Sequence, residues 1–403
     1  GHRWFGTEGG LSVWLASGAQ ITSTCEGLND CRVRAIAVDR GNNKWLGTWG
    51  GGLAFVPVGR GVAVTSFTIA DPNSGLASNF IHSLAIDSNH YKWIGTRAGL
   101  SILDDRGTPR YKPGDRWYTF AGTNDEILTV AVDPTPDVKW LGARREGAVI
   151  LDDDGHPLTG PSCFSFIATA GPYISAIAFT RQDASVTRWF GSWGKGLSRL
   201  EGWTNPCAPD GTWQQYATEG LGRNDVHALA IDAGGRKWFG TWGGGVSVFT
   251  YTAESENRQW RTFAAAGGVR FDYVNDLAFE DGYTWLALAP GGFDEEGIIG
   301  GAVALNRDGT PIPYTQVEAD GLSSNWITSL AVDPEGNKWF GTYSSGLVVL
   351  LGSGATPSPP AAAWVRFTAP TATDTPTPMP THTPAGTLTP TRTRTPTGTP
   401  SRT

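Results

Sequence analysis

The sequence predicts an all-β chain folded as a β-propeller of four-stranded antiparallel blades. Three observations lead there. A phrase of tryptophan, an apolar residue, usually Gly-Thr, a glycine-rich stretch and an apolar strand recurs eight times, anchored at Trp4, Trp45, Trp93, Trp140, Trp189, Trp238, Trp285 and Trp339. Each full period, 41 to 54 residues between anchors, holds four short strand signals and no helical periodicity. Among 403 residues there are 54 glycines, 18 tryptophans and one methionine, a balance that suits turn-rich sheet; without a G-X-Y period it excludes collagen.

The strands follow in order. Strand A alternates large and small residues, as in HSLAID (82–87), HALAID (227–232) and TSLAVD (328–333). A polar turn such as Pro334-Glu335-Gly336-Asn337 leads to strand B (KWFGT), and a glycine turn leads on to strand C (GLVVL). A longer polar loop precedes an outer strand D, as at 117–120, 214–217 and 364–367. Near the end of every strand A stands an alanine (Ala37, Ala85, Ala131, Ala178, Ala230, Ala278, Ala331), always preceded by a large apolar residue such as Ile36, Leu84 or Leu330. Period-2 alternation sends the two to opposite faces, so a flat small face can meet a filled large one between neighbouring blades. The anchor tryptophans are expected to supply much of that filling.

Eight B–C hairpins accompany only seven A strands, because the chain enters at the B strand of the first blade. The expectation is an eight-bladed ring with an incomplete first blade; a seven-bladed ring with a surplus hairpin is the alternative. The propeller is assigned to residues 1–369. Residues 370–403 change character: 14 of 34 are Thr and 8 are Pro, with almost nothing apolar to offset chain ordering. That segment is expected to be a disordered stalk or linker suited to O-glycosylation. The only methionine is Met379, so residue 1 is read as lying within a mature form or an excised fragment.

A net charge of −7 argues against duplex nucleic acid as a partner, and no apolar run reaches the roughly 18 residues of a membrane helix. No P-loop, HExxH, G-x-S-x-G or CxxC motif is present, so no catalytic residue, cofactor or metal is assigned. The acidic stretches at 104–105 and 152–154, with Asp308, read as solvated C–D turns rather than calcium sites; the inserted Asp294-Glu295-Glu296 is a weak cation signal. Cys25 and Cys31 frame a D–A loop, while Cys163 and Cys207 lie about one repeat apart; two disulfides are expected, with four free thiols as the rival.

Parity places a candidate ligand face. In an up-and-down blade the D–A and B–C connections emerge together. The B–C turn varies four residues after each anchor, at Glu8, Trp49, Arg97, Arg144, Trp193, Trp242, Ala289 and Tyr343. Near the start of strand A, on the same side, lie Arg34, His82, Ser175, His227, Asn275 and Thr328. From these the candidate ligand-binding set is Trp49, Arg97, Arg144, Trp193, Trp242, Tyr343, Arg34, His82, His227 and Asn275. Aromatic rings can cover apolar C–H surfaces while Arg and Asn satisfy hydroxyls or carboxylates, which suits a sugar or planar solute. The competing reading has Trp49, Trp193 and Trp242 wedged between blades as packing. His82 and His227, three blades apart, are expected to line the channel on opposite sides, too far apart for one proton relay.

The stretches GLSSNWITSLAVDPEGNKWFGTYSSGLVVL (321–350) and GLGRNDVHALAIDAGGRKWFGTWGGGVSVF (220–249) resemble the two-component regulator propeller repeat, and the resemblance extends over residues 2–369. The seventh blade departs from it at TWLALAPGG (284–292), and the fourth has GAR in place of GTW. The resemblance implies a ligand-sensing ectodomain of the kind found in bacterial hybrid two-component systems, or a stand-alone surface protein. No immunoglobulin-like domain, membrane helix or histidine kinase is in this sequence, so only the ligand-binding role carries over. It implies an extracellular, cell-surface or periplasmic bacterial module, not an enzyme, that recognises carbohydrate or another small solute. A membrane-bound signalling partner or a cell-wall component would be its further partner. The alternatives are a propeller-fold lyase or glycan-degrading enzyme, and a structural surface protein that binds other proteins.

Overall fold

In this computed structural model the four strand signals of each period become an antiparallel meander in which every strand pairs with the next. The structure describes the chain except for residues 1–2, 8–9, 15–19, 25–27, 31, 42, 58–63, 108–111, 121–124, 135–137, 153–162, 168–170, 183–184, 204–210, 218–219, 252–257, 264, 267–268, 271, 281, 291–299, 315–321, 323, 333–335, 343–346, 353–363 and 368–403. Among the described residues there are seven four-stranded sheets, one three-stranded sheet and a two-stranded ribbon (Ala265–Ala266 with Val269–Arg270). Sheet 1 holds Arg3–Thr7, Gly10–Trp14 and Gln20–Thr24, the B, C and D positions of a blade. In sheets 2 to 8, strand A is Val33–Val38, Ile81–Ile86, Ile127–Val132, Ile174–Gln182, Val226–Ile231, Val274–Glu280 and Ile327–Val332. Strand B is Lys44–Thr48, Lys92–Thr96, Val138–Ala143, Ser185–Ser192, Lys237–Thr241, Tyr283–Leu288 and Lys338–Thr342. Each strand A packs against strand A of the following sheet, and Arg3–Thr7 lies against both Val33–Val38 and Lys338–Thr342. No helix among the described residues is long and apolar enough to cross a membrane.

The strand A boundaries sit one residue earlier than expected from the sequence. Asp87 and Asp232 leave the strand because their carboxylates cap the following turn: Asp87 accepts the amides of Asn89 and Tyr91 at 3.0 and 2.9 Å, and Asp232 those of Gly234 and Arg236 at 3.0 and 2.9 Å.

Each alanine of strand A stands directly opposite an anchor tryptophan. The pairs are Ala37 with Trp45, Ala85 with Trp93, Ala131 with Trp140, Ala178 with Trp189, Ala230 with Trp238, Ala278 with Trp285 and Ala331 with Trp339. A small partner leaves room for the indole on the shared face. Trp45, Trp93, Trp140, Trp189 and Trp285 are completely buried on strand B, which like strand C is covered on both faces. Strand A is half-buried, as the innermost strand of each sheet.

Close approach between sheets explains the glycine of the KW-x-G-T phrase. A Cβ on Gly47 would lie 2.4 Å from Ile81 Cγ2 of the next strand A, and one on Gly142 would lie 2.7 Å from the Ile174 carbonyl. A cation before the anchor adds a polar seam in sheets 3, 4, 5 and 8. Lys92, Lys139 and Lys338 lie 4.9, 4.8 and 5.0 Å over Trp45, Trp93 and Trp285 of the preceding sheet. Lys139 also reaches Asp87 at 3.3 Å, Arg188 reaches Asp133 at 2.6 Å and Lys338 reaches Glu280 at 3.4 Å. Those same carboxylates accept the indole N–H of Trp93, Trp140 and Trp285 at 2.8, 2.7 and 3.1 Å. Turn acid, tryptophan and the next sheet's cation thus form one buried unit at three seams, between sheets 3 and 4, 4 and 5, and 7 and 8.

The acidic C–D turns divide. Asp308 is an exposed turn residue that accepts the Thr310 amide at 2.8 Å. Asp105 corrects the expectation of a solvated turn: it is buried, 2.7 Å from Lys92 Nζ, because that ammonium is enclosed beneath the turn and needs a counter-charge. Cys25, Cys31 and Cys207, Asp153, Asp154 and the 294–296 loop, and the stalk at 370–403 lie outside the described residues.

Candidate functional site

Three positions per sheet converge at the end where strand A begins. The first is the residue just before strand A: Arg32, Phe80, Glu126, Tyr173, Asp225, Tyr273 and Trp326. The second is the second residue of strand A, which is skipped in the pairing of all seven sheets, a β-bulge that falls on Arg34, His82, Leu128, Ser175, His227, Asn275 and Thr328. A bulge bends the strand and re-aims the unpaired side chain. The third is the residue four past each anchor. The amide of Trp49, Arg97, Arg144, Trp193, Trp242 and Ala289 donates to the carbonyl of Arg32, Phe80, Glu126, Tyr173, Asp225 and Tyr273 at 2.8 to 3.0 Å. Further amides cross to the next sheet, from Gly50 and Gly52 to Asn79 and from Gly243 and Gly245 to Asp272. Backbone hydrogen bonds therefore fix this rim within and between sheets.

Side-chain contacts run along the rim from sheet to sheet. The Arg34 guanidinium lies 5.1 Å from the Trp49 ring centre, and Trp49 meets Phe80 and His82 edge-on at 5.5 and 5.0 Å. His82 Nε2 is 2.6 Å from Glu126 Oε1, and the other Glu126 oxygen accepts from Arg144 at 2.6 Å. Burial pushes the Glu126 carboxyl up, but hydrogen bonds from His82 and Arg144 and their charges outweigh it and bring it to about 2. The Glu126 hydrogen bond in turn raises Arg144 above its ordinary value. Tyr173, raised by burial, feels the Arg144 charge and packs 5.9 Å from Trp193.

Beyond Tyr173 the rim becomes aromatic. Trp193 contacts Trp242 at 5.0 Å and His227 at 5.7 Å, and His227 stacks on Trp242 at 5.6 Å with an interplanar angle of 11°. Burial lowers the His227 pKa, and its Nδ1 is enclosed without a hydrogen-bond partner among the described residues, so the ring is held neutral. Trp242 Nε1 donates to Asn275 Oδ1 at 3.3 Å, and Asn275 Nδ2 donates to the Ile327 carbonyl at 2.7 Å. Tyr273 closes the group edge-on to Trp242 at 5.7 Å.

The structure thus brings Arg34, Trp49, His82, Arg97, Arg144, Trp193, His227, Trp242 and Asn275 to one rim, and Tyr343 lies outside the described residues. His82 and His227 belong to different clusters, one with Trp49 and Glu126, the other with Trp193 and Trp242. Sequence reasoning missed Phe80, Glu126, Tyr173 and Tyr273. The signal for them is present: the residue before strand A varies freely, whereas the next is always Val or Ile. It also missed Asp276, a carboxylate where other strands carry Ala35, Ser83, Thr129, Ala176, Ala228 and Ser329. Burial pushes Asp276 up to about 6, although it accepts the Leu277 and Leu330 amides, each at 2.8 Å. Among the described residues no group of three or more His, Cys, Asp or Glu is placed to hold a metal ion.

Chemically, the rim offers half-buried ring faces, fixed amide and guanidinium groups, and one tightly paired carboxylate. Residues 321–344 match the two-component regulator propeller family. No curated protein sequence matches the chain. The extracellular domain of a putative hybrid two-component system from B. thetaiotaomicron is similar at 18% identity over 87% of this chain and 48% of that one, with a TM-score of 0.45. The extracellular domain of a putative one-component system from the same organism is similar at 18% identity over 87% of this chain and 52% of that one, with a TM-score of 0.36. This chain therefore spans about half the length of those domains. The β-propeller domain of Myceliophteria thermophila Cps50 (Swd1) aligns at 11% identity over 76% of this chain and 93% of that one, with a TM-score of 0.50, which shows the shared β-propeller fold.

Proposed function

We propose that this chain is an extracytoplasmic, sensor-type propeller that binds a carbohydrate or another small solute on the rim where the B–C turns meet the starts of strand A. The observation that carries the reading is the Trp193–His227–Trp242–Asn275 group. Its rings are half-buried, each is held by another ring or a hydrogen bond, and so the surface is rigid before any ligand arrives. Preorganised aromatic faces beside oriented polar groups suit the alternating C–H and hydroxyl surfaces of a sugar. The propeller would comprise residues 1–369 as eight blades with sheet 1 as the incomplete first, carried on the Thr/Pro-rich stalk of 370–403. Its further partner would be a membrane-bound signalling protein or a cell-wall component. A glycan array probed with the wild-type chain, Trp49→Ala and Trp242→Ala tests the reading. Loss of the wild-type signal in either variant supports it, and unchanged signals in both remove this site.

A second reading draws on the 2.6 Å His82–Glu126 contact, a histidine with a carboxylate at one rim, which a glycan-degrading lyase would need. Both Glu126 oxygens are occupied, one by His82 and one by Arg144, so binding is the better-supported function. Unsaturated products or new reducing ends from a polysaccharide panel, absent in His82→Ala, would favour the enzyme.

A further inference from the structure

We propose that the Trp49 end of the rim is a subsite for an oxyanion-bearing sugar, the carboxylate of a uronic acid or a sulfate ester. The inference rests on the sugar-binding reading and adds to it a ligand class and a direction. Trp49 and Phe80 stand edge-on, with ring centres 5.5 Å apart. Two exposed guanidiniums flank the pair, Arg34 at 5.1 Å from the Trp49 ring centre and Arg97 at 5.6 Å from that of Phe80.

Charge pairing distinguishes Arg97 from its neighbours. Arg32 has Asp30 at 2.6 Å, Arg144 has Glu126 at 2.6 Å, Arg145 has Asp125 at 3.9 Å and Arg223 has Asp225 at 3.3 Å. Arg97 has no carboxylate at ion-pair distance among the described residues, in a chain whose net charge is −7. A guanidinium laid on a ring is held in place by its face while its in-plane N–H fork stays open to a carboxylate or sulfate. The other end of the rim has the opposite character. There Arg223 is taken by Asp225 at 3.3 Å, and Asn275, a neutral amide, is the polar group beside the Trp242 ring. An anionic sugar residue is favoured at Trp49 and a neutral one at Trp242, which orients a bound oligosaccharide along the rim.

Isothermal titration against four probes tests this: an oligogalacturonate, the same oligosaccharide with its carboxyls reduced, a sulfated galactan oligosaccharide, and the unsulfated galactan. The expected result is that at least one oxyanion-bearing probe binds roughly tenfold or more tightly than its neutral counterpart, the advantage of a charge-assisted hydrogen bond. That preference should shrink with added salt. Arg97→Gln should erase most of it, weakening the charged probe far more than the neutral one, while the thermal midpoint stays at the wild-type value. Preference for the galacturonate or for the sulfated probe identifies which oxyanion is used. Equal affinity for charged and neutral probes overturns the subsite and leaves the sugar-binding reading standing. Equal weakening of both by Arg97→Gln overturns it in the same way. No binding of any sugar, on these probes or on the array, overturns both.

Discussion

Asp133 and Arg188 face each other across the seam between sheets 4 and 5, joined by hydrogen bonds of 2.6 and 3.0 Å, with both side chains almost fully buried. The same carboxylate takes the Trp140 indole N–H at 2.7 Å, so one acid closes its own turn and clamps the next sheet. Removing one partner strands a buried charge. Asp133→Ala should cost about 3 to 5 kcal/mol, seen as a marked fall in the denaturation midpoint. Adding Arg188→Met should recover much of that loss, because an apolar pair of similar volume tolerates burial. A single variant that unfolds at the wild-type midpoint would contradict the clamp.

Gly142 has no room for a side chain. Its Cβ would fall 2.5 Å from Thr129 Cγ2 and 2.9 Å from Ile174 Cγ2 of the next sheet. Gly142→Ala should destabilise by about 1 to 3 kcal/mol through overpacking, measured by chemical denaturation. Sheet 7 carries Ala287 at the matching place, buried with Ile327 in one cluster, so that seam is spaced to hold the extra methyl.

These seams show what the sequence made legible. Alanine near the end of strand A and tryptophan in strand B were visible as a repeat, and their direct opposition accounts for both. The Lys or Arg before the tryptophan, replaced only by Thr284, and the acid two residues after the strand A alanine, replaced only by Thr180, were nearly as regular. Their shared role could not be read, because it joins residues of different repeats across a seam that only assembly creates. The rim follows the same division. Trp49, Trp193 and Trp242 were found as chemically varied positions in equivalent turns. Glu126 and Tyr173 were missed because they precede a strand instead of belonging to the repeated phrase. The bulge that re-aims His82 and His227 leaves no local residue signature, since any side chain can occupy it.

Asp276 gives the fold a pH dependence whose sign is fixed. Its ordinary value is 3.8 and burial raises it to about 6 in the folded chain. Below 3.8 both states are protonated and this contribution is fully present. Between 3.8 and about 6 the folded state keeps its proton while the unfolded state loses it, so stability falls as pH rises through that window. Asp276→Asn keeps an acceptor for only one of the Leu277 and Leu330 amides and sets its Nδ2 against the other, so it should lower the midpoint at every pH, but it removes the titrating group and should flatten this slope in denaturation midpoints recorded across the window. An unaltered slope would argue against a protonated Asp276.

Glu126 acts in the opposite sense. Its carboxyl drops from 4.5 to about 2, so its contribution is present above 4.5 and is lost as pH falls toward 2. Glu126→Gln should remove that acid-side loss. It should also free Arg144, raising rim affinity for an anionic sugar by a few fold in titration calorimetry, where no change would place Arg144 away from the ligand.

The central claim, that this rim is the recognition surface, is tested most directly by a crystal structure with the tightest-binding glycan from the array. The account predicts sugar rings laid against Trp193 and Trp242 with a hydroxyl near Asn275. Sugar bound at the other end of the strands, over the A–B turns around Asp87 and Asp133, would contradict it.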